Sequence, residues 1–364
     1  MKFRCERDVL VEALGITGRA VSARGGSLPV LAGIRAQLSG DTLTLTGTDL
    51  DLTISVDVTV AGEEDGVAVV PSRLASEVVR SLEPGAVKLD ISDDEARINA
   101  GRSEFSLRLI PADEFPRSPQ PDSEPVELAG ADLAQALRQV VPAASTDDSR
   151  PILTGVLLAA EPGGVRLVAT DSYRLSVRDL PGTNLLDEGH SILIPSRALS
   201  ELVRLLGPDT PLKMRLGERE ASFEVGTTKL TTRLIEGDFP PYRGLIPQNH
   251  PNRLIVGREV LLDALRRVKL MAREATPVRL VMSEEGLELM AVTQDVGQAH
   301  EALDAKYEGS ELTVAFNPDY LADGLEVATG DEVSLETIDA LKPALLKPVD
   351  TTDFLYLLMP VRVS

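Results

Sequence analysis

Two pairs of arginines are the side chains whose type and spacing most clearly suggest chemistry. Arg73 and Arg80 lie seven residues apart in a helical pattern, and Arg197 and Arg204 repeat that spacing. Seven residues make almost two helical turns, so both guanidinium groups of a pair leave the same helix face. Such a row suits sequence-independent contact with phosphates. A solvated helix face is the simpler interpretation of one pair, and the recurrence of the pair weakens it.

The chain shows no pattern typical of catalysis or metal binding. His190, His250 and His300 are isolated, and no HExxH, GxxxxGK or GxSxG motif occurs. The acidic clusters at 63–65 and 93–95 lie between strand patterns, where a solvated turn is a simpler interpretation than a two-metal nuclease site. We therefore predict no catalytic residue, no metal and no cofactor. A metal-dependent nuclease is the alternative, and cleavage assays with magnesium or manganese test it.

The composition restricts the compartment and the partners. With 37 basic and 57 acidic residues the net charge is −20, and an acidic surface repels nucleic acid unless the basic residues are clustered. The single cysteine, Cys5, excludes an intramolecular disulfide, and its alternating surroundings favour a packed strand residue. The start of the chain lacks the apolar core of a signal peptide, and no apolar run of membrane length occurs. These features predict a cytoplasmic protein that has no membrane partner.

The elements that must position the arginines occur in a threefold repeat. Thr48, Thr170 and Thr293 mark corresponding sites at offsets of 122 and 123 residues. The string PSR at Pro71 returns at Pro195, and it returns more faintly at 317–319. Each copy ends with a Leu-Ile or Leu-Met dipeptide. Proline-rich linkers at 119–125 and 247–251 follow the first two copies. We predict three like domains at 1–122, 123–250 and 251–364.

Each repeat is predicted to contain two similar halves, and each half has a strand, a helix and a meander of strands. Ser72 and Ser196 are the expected helix N-caps. Alternating stretches at 43–46, 87–91 and 213–216 predict half-buried antiparallel strands. The fold class is therefore α+β, with helices covering one face of each sheet. The six helices are expected at roughly 7–20, 72–82, 131–143, 196–206, 258–271 and 318–328.

Several strings along the chain are specific when taken together, namely MKF with ERDVL, SLPVLAGI, SRPILTGV, GTDL, ATDSYRL, GRSEFSLRLIPADEFP, EGDFPPYRGLIP, FNPDYL and YLLMPVRV. In their order over the whole chain they resemble the bacterial sliding clamp family, the beta subunit of the DNA polymerase III holoenzyme. The resemblance implies a non-catalytic processivity factor, in which two subunits join head to tail into a six-domain ring around double-stranded DNA. In that ring the sheets lie outside and two helices per domain lie inside.

The resemblance implies that Arg24, in the loop after the first helix, touches the duplex and that Arg73 and Arg197 face the bore. We expect a fourth DNA contact from Arg150, just before Pro151. Arg150 is as well suited to pair with Asp147 or Asp148. In the third repeat acidic residues occupy the places of the repeated arginines, at 319 and 326. DNA contact by that helix is therefore not expected.

A second implied site is an apolar groove for partner peptides between the second and third domains. Its expected partners are the replicative polymerase, the clamp loader, and mismatch-repair and translesion proteins with clamp-binding motifs. For 357–361 a buried last strand is the simpler interpretation from the residues alone. Ser172-Tyr173, Gly244 and Ser364 depart from the family pattern. The implied groove residues are Leu153, Thr170, Ser172, Tyr173, Arg174, Leu175, Pro240, Leu245, Asn317, Tyr320, Leu341, Pro343, Leu357, Leu358, Met359, Pro360, Val361 and Arg362.

The seam of the homodimer is the third implied site. Phe105 and Leu107 are expected to face Leu270 and Met271 of the other subunit, and burial in their own domain is the alternative. The resemblance places the protein in the cytoplasm at the nucleoid. Two alternatives to a replication clamp stay open, which are a clamp paralogue with an altered groove and a repeat scaffold that does not encircle DNA.

Overall fold

The computed structural model describes residues 1–22, 28–92, 94–117, 121–272 and 276–362. Arg24, Asp93 and Ser364, which the sequence analysis names, lie outside these residues. The α-helices described are α1 (Arg7–Thr17), α2 (Ser72–Ser81), α3 (Gly130–Val140), α4 (Ser196–Leu205), α5 (Arg258–Lys269) and α6 (Pro318–Val327). Short 3-10 helices occupy Gly18–Ala20, Pro29–Ala32, Val141–Ala143, Pro151–Thr154 and Tyr242–Leu245.

The strands follow the predicted repeat. The first repeat has β1 (Lys2–Glu6), β2 (Gly33–Ser39), β3 (Thr42–Thr48), β4 (Leu52–Thr59), β5 (Ala61–Glu64), β6 (Gly66–Pro71), β7 (Ala86–Ser92), β8 (Glu95–Ala100) and β9 (Ser103–Arg108). The second has β10 (Val126–Ala129), β11 (Gly155–Glu161), β12 (Gly164–Thr170), β13 (Arg174–Pro181), β14 (Ser191–Pro195), β15 (Pro211–Leu216), β16 (Glu220–Val225) and β17 (Thr228–Arg233). The third has β18 (Asn252–Gly257), β19 (Val278–Ser283), β20 (Gly286–Thr293), β21 (Gly297–Leu303), β22 (Lys306–Glu308), β23 (Leu312–Phe316), β24 (Glu332–Thr337), β25 (Ala344–Pro348) and β26 (Phe354–Leu358).

The chain forms two compact units, and the first, called unit 1, comprises Met1–Ala131 and Glu201–Leu234. It contains a five-stranded sheet in the order β5-β1-β7-β8-β9 and an eight-stranded sheet in the order β10-β15-β16-β17-β4-β3-β2-β6. The antiparallel pairing of β17 with β4 joins strands of the second and first repeats, with Thr232 opposite Leu52. Helix α1 packs against α2 and against β3 and β4. A helix layer therefore covers one face of this sheet, as predicted.

The second unit, called unit 2, comprises Asp132–Ser200 and Ile235–Ser364. Its nine-stranded sheet has the order β14-β11-β12-β13-β26-β25-β24-β18-β22, and its four-stranded sheet has the order β21-β20-β19-β23. The pairing of β13 with β26 joins the second and third repeats, with Arg174 opposite Leu358. Helix α5 packs against α6 and against β20 and β21. Each unit thus contains one large sheet that two repeats build together.

All six predicted helices are confirmed, but the predicted N-caps are wrong. Ser72 and Ser196 are the first helical residues of α2 and α4, and the residue before α2 is Pro71, which makes no capping hydrogen bond through its side chain. The proline ring fixes φ at the residue before the helix, and the serine that follows lies in the first helical turn. Helix α6 has a side-chain cap, because Asn317 accepts hydrogen bonds from the amides of Asp319 and Tyr320.

The core of each unit consists of small and medium aliphatic side chains, with few aromatic rings. Cys5 is buried in β1 as predicted, and burial raises the pKa of its thiol to about 11. The predicted strands at 43–46, 87–91 and 213–216 lie in β3, β7 and β15. The predicted boundaries of the three domains, at 122 and 250, stay a prediction. None of the helices in the described part of the chain has the length and apolar content needed to cross a membrane.

Candidate functional site

A tight turn between β12 and β13 organises the predicted groove in unit 2. The Thr170 hydroxyl accepts a hydrogen bond from the Ser172 amide at 3.2 Å, and one Asp171 carboxylate oxygen accepts from the amides of Tyr173 and Arg174 at 2.9 and 3.0 Å. Ser172 has a φ of 84°, in the left-handed region that favours glycine. The turn leaves Tyr173 58% exposed.

Arg174 anchors the groove from below. Its side chain is only 10% exposed, and its Nε donates to Asp171 at 3.0 Å. One terminal nitrogen contacts Asp323 on α6 and lies 3.3 Å from the Tyr356 hydroxyl. Burial alone would lower the pKa of Arg174, but Tyr356, Asp323 and Asp171 outweigh burial and raise it. The guanidinium is therefore always charged, and its contacts with Asp171, Asp323 and Tyr356 hold it in place.

An aromatic stack lies across this anchor. The Arg174 guanidinium carbon sits 4.4 Å from the centroid of the Tyr320 ring, a cation–π geometry. The rings of Tyr173 and Tyr320 have centroids 6.4 Å apart and planes at 27°. The Asn317 cap fixes the start of α6 and with it Tyr320, whose carbonyl accepts a hydrogen bond from the Tyr356 hydroxyl at 3.0 Å. Residues of the second and third repeats therefore meet in one polar and aromatic cluster.

Four exposed apolar side chains of unit 2 belong to the predicted groove set. Tyr173, Leu245, Leu341 and Met359 are each 39% exposed or more. The Met359 amide donates to the Tyr173 carbonyl at 2.9 Å, so these two side chains flank the junction of β13 and β26. Single exposed apolar residues are ordinary, but several within one predicted groove set are typical of a binding surface. An apolar surface with a charged anchor beneath it suits a short linear peptide.

The rest of the predicted groove lies deeper. Leu175 and Leu357 belong to a buried cluster with Val168, Val177 and Leu345, on which Phe239 and Ile246 pack. For Leu357 and Leu358 the simpler interpretation, a buried last strand, describes this structure, because they are 3% and 1% exposed. Thr170 is also buried, Ser172 and Arg362 are exposed, and the remainder are half-buried, namely Leu153, Pro240, Pro343, Pro360 and Val361.

Asp323 and Tyr356 are supporting residues that the sequence analysis missed. Both contact Arg174, and the Tyr356 ring lies so close to Gly324 that a Cβ there would meet its Cδ1 at 2.6 Å. Asp323 lies one helical turn after Tyr320, a spacing that could have indicated a shared face. The position of Tyr356 beneath α6 depends on the long-range pairing of β26.

The repeated arginines lie where the helical spacing predicts. Arg73 on α2 is 92% exposed and pairs with Glu77 at 2.9 Å, and Arg204 on α4 is 59% exposed and pairs with Glu201 at 2.8 Å. Arg80 and Arg197 are also exposed. Glu77 is the largest cause of the raised pKa of Arg73, through a side-chain hydrogen bond. Each of the two helices therefore presents exposed guanidinium groups on one side.

Arg150 is held by its own loop. Its Nε donates to Asp147 at 2.9 Å, and its other nitrogens reach the Ser145 hydroxyl and the Asp171 carbonyl at 3.2 Å each. The pKa of Asp147 is lowered, mainly by hydrogen bonds from Ser149 and then by Arg150. The pairing with Asp147 that the sequence left open is thus present, and contact with DNA stays a prediction.

Helix α6 of the third repeat differs from α2 and α4. Its Asp319 contacts Lys269 on α5, and its Glu326 pairs with Arg266 on α5 at 2.9 Å. These two acids occupy the places of the arginines on α2 and α4. Acids and bases of α5 and α6 therefore compensate one another, and this surface offers phosphates little attraction.

The predicted seam residues fall into two classes. Phe105 on β9 is 37% exposed and Leu270 after α5 is 75% exposed, whereas Leu107 is 4% exposed and packs in its own sheet. Met271 is half-buried, and its carbonyl accepts from the Thr293 hydroxyl at 2.7 Å. Strands β9 and β21 are each at an edge of a sheet, where backbone groups are open to further pairing.

A metal site does not form among the described residues, where no group of three His, Cys, Asp or Glu side chains converges on one point.

Comparisons with known proteins cover the whole chain. Three family models match, described as the N-terminal, central and C-terminal domains of the DNA polymerase III beta subunit, at residues 1–119, 127–241 and 243–362. The beta sliding clamps of Streptomyces coelicolor and Bacillus subtilis are 35% and 32% identical, with all of both chains covered. Crystal structures of the sliding clamps of Bacillus subtilis and of Bartonella birtlesii, the latter bound to griselimycin, superpose with TM-scores of 0.92 and 0.93. Their identities are 31% and 30%, with full coverage of both chains.

Proposed function

The chain belongs to the family of the bacterial sliding clamp, the non-catalytic beta subunit of DNA polymerase III, and from this premise we propose how its own residues perform that function. Two copies close head to tail into a ring that encircles double-stranded DNA and tethers the replicative polymerase. The observation that carries the proposal is the pair of exposed arginines that α2 and α4 repeat at the same position. A ring retains DNA by topology, so it needs only weak phosphate contacts.

Arg73 and Arg197 supply these contacts, together with Arg24 and Arg150. Glu77 and Glu201 lie beside the arginines of α2 and α4 and offer alternative partners as the duplex moves. Water and salt screen the charges of exposed arginines, so phosphates readily replace these glutamates as partners. The contacts carry no base information, which suits a clamp that moves along any sequence. Helix α6 takes no part, because its acids are paired with α5.

The groove of unit 2 docks the short apolar segments of partner proteins. We expect these partners to be the polymerase catalytic subunit, the clamp loader, and mismatch-repair and translesion proteins. Tyr173, Leu245, Leu341 and Met359 form the accessible apolar surface, and Arg174 fixes its base. Griselimycin, named with the Bartonella birtlesii relative, is expected to bind this chain as well.

The seam of the ring pairs edge strand β9 of one copy with edge strand β21 of the next. Phe105 and Leu270 meet there, and each buries apolar surface that the single chain leaves exposed. Leu107 and Met271 support them from within their own domains. A head-to-tail contact that closes after two copies forms a ring and leaves no seam surface unpaired. We place the assembled protein in the cytoplasm at the nucleoid.

Retention on nicked circular DNA tests the encircling ring. The clamp is loaded by its clamp loader, and the protein that stays on DNA is measured after gel filtration, for the wild type and for the double variant Arg73→Glu and Arg197→Glu. We expect the wild type to stay on circles and to leave linear DNA, and the double variant to lose most of its retention, because charge reversal repels the phosphates.

The matched control is Arg97→Glu, which reverses an exposed arginine on β8 that pairs only loosely with Glu95, at 3.5 Å. This variant should behave as the wild type. Equal retention of the wild type on circular and linear DNA would reject the ring and favour a scaffold that does not encircle DNA.

A further inference from the structure

Unit 1 contains a second cleft that is built in the same way as the groove of unit 2. The Leu50 amide donates to the Thr48 hydroxyl at 3.1 Å, and one Asp49 carboxylate oxygen accepts from the amides of Asp51 and Leu52 at 3.1 and 2.8 Å. These bonds repeat those of the turn at 170–174. The Arg233 amide donates to the Asp51 carbonyl at 2.9 Å, just as the amide of Met359 donates to Tyr173. The threefold repeat therefore makes one backbone cleft twice.

Leu50 is the unusual residue of this cleft. Its φ is 83°, a left-handed conformation that disfavours leucine, and its side chain is 40% exposed. The left-handed backbone and the exposed apolar side chain are both unfavourable for the folded chain. Strained residues of this kind concentrate at binding sites. The corresponding residue in unit 2 is Ser172, with a φ of 84°. Unit 1 thus places an apolar anchor where unit 2 has a hydroxyl.

A cavity of about 130 Å³ opens beside Leu50. Its lining includes Thr53, Pro116 and Thr231, together with four charged residues, Asp51, Arg117, Glu220 and Arg233, which are called the rim. A cavity of about 150 Å³ holds a benzene ring, so this one suits a single aliphatic side chain. The cavity accepts one residue of a ligand and leaves the neighbouring residues at the charged rim.

The rim favours an acidic neighbour. Among the described residues Arg117 has no ion-pair partner, and Arg233 makes only a long pair with Asp51, at 3.9 Å with both side chains more than 60% exposed. The remaining acid of the lining is Glu220, which stands opposite Arg233 in the pairing of β16 with β17 and makes no ion pair among the described residues, and whose Oε1 is 3.1 Å from an ideal Cβ at Gly217. Two guanidinium groups are therefore available to a ligand carboxylate, which arginine binds in a planar, bidentate way.

We propose that this cleft is a second peptide-binding site, which takes a linear segment with an aliphatic residue followed by an acidic residue. The aliphatic side chain enters the cavity against Leu50, and the carboxylate reaches Arg117 and Arg233. The site differs from the groove of unit 2 in its ligand class, because Thr232 and Arg233 stand where unit 2 has Leu358 and Met359. Two partner segments of different chemistry can therefore occupy one chain together.

Methyl NMR of the full-length protein tests this site with two capped dipeptides, N-acetyl-Leu-Asp-amide and N-acetyl-Leu-Lys-amide. We expect Leu-Asp to cause saturable shifts of the Leu50 and Thr231 methyl groups, and Leu-Lys to bind at least about threefold more weakly, as the loss of an exposed ion pair predicts. The methyl groups of Leu341 and Met359, in the groove of unit 2, serve as the internal reference.

Two variants separate the roles of the anchor and the rim. Arg233→Gln should weaken Leu-Asp binding about threefold and leave Leu-Lys unchanged. Leu50→Gly removes the anchor, keeps the turn and should abolish saturable binding of both dipeptides. Equal shifts with both dipeptides, shifts only at Leu341 and Met359, or unchanged binding in Leu50→Gly would each overturn the proposal.

Discussion

The junction of β4 with β17 in unit 1 and the junction of β13 with β26 in unit 2 have the same turn and the same strand register. They differ in the side chains that the common backbone presents. Thr231, Thr232 and Arg233 of unit 1 stand opposite the turn where unit 2 has Leu357, Leu358 and Met359. The repeat therefore determines the shape of a cleft, and a few substitutions determine what the cleft binds.

The largest expected effect comes from the buried residue that differs between the junctions. Leu357→Ala removes a side chain that is 3% exposed, so we expect it to lower the free energy of unfolding by about 2–5 kcal/mol. Thr231→Ala, at the matched position of β17, should cost about 1 kcal/mol or less. Hydrogen exchange of the β26 and β17 amides measures both. Equal costs would contradict the view that only unit 2 has an apolar junction.

The two left-handed residues should respond alike, because they depend on the common backbone. Leu50→Gly and Ser172→Gly relieve an unfavourable φ, and each should raise the local free energy of unfolding by about 1 kcal/mol. Leu50→Ala is the control, since it removes the side chain but keeps a Cβ. Hydrogen exchange in β4 and β13 reports the change. Stabilisation at only one of the turns would show that the two are not equivalent.

The smallest expected effect is a dependence on pH that is confined to unit 2, which contains all three histidines. Burial lowers the pKa of His250 below its usual 6.5, against the opposing effect of Glu336 and with a further lowering by Lys347. The unfolded chain then binds the proton more strongly, so stability is full above about pH 6.5 and falls as the pH drops towards the folded-state pKa.

Tyrosine fluorescence measures this effect selectively, because the chain has no tryptophan and all five tyrosines lie in unit 2. The free energy of unfolding should be about 1 kcal/mol lower, or less, at pH 5.5 than at pH 7.5, and the urea midpoint should fall with it. His250→Gln should reduce the difference. An unchanged difference in that variant would assign the dependence to other groups.

Much of the fold was predictable because it depends on local patterns. The amphipathic spacing around Arg73 and Arg197 identified α2 and α4, and the offsets of Thr48 and Thr170 identified corresponding positions of the repeats. Residues whose positions depend on long-range pairing were not predictable. The support that Tyr356 gives to Arg174 follows from β26 pairing with β13. Spacing along one segment carries no information about such contacts.

Binding of a fluorescent peptide that contains a leucine and a phenylalanine tests the central claim, that the groove of unit 2 is the apolar docking site. Met359→Asp and Leu50→Asp are a matched pair, because the two side chains are 39% and 40% exposed at corresponding clefts. We predict that Met359→Asp weakens binding at least about tenfold, since it places a charge against apolar peptide, and that Leu50→Asp leaves the affinity unchanged. Loss of binding in Leu50→Asp with full affinity in Met359→Asp would contradict the account.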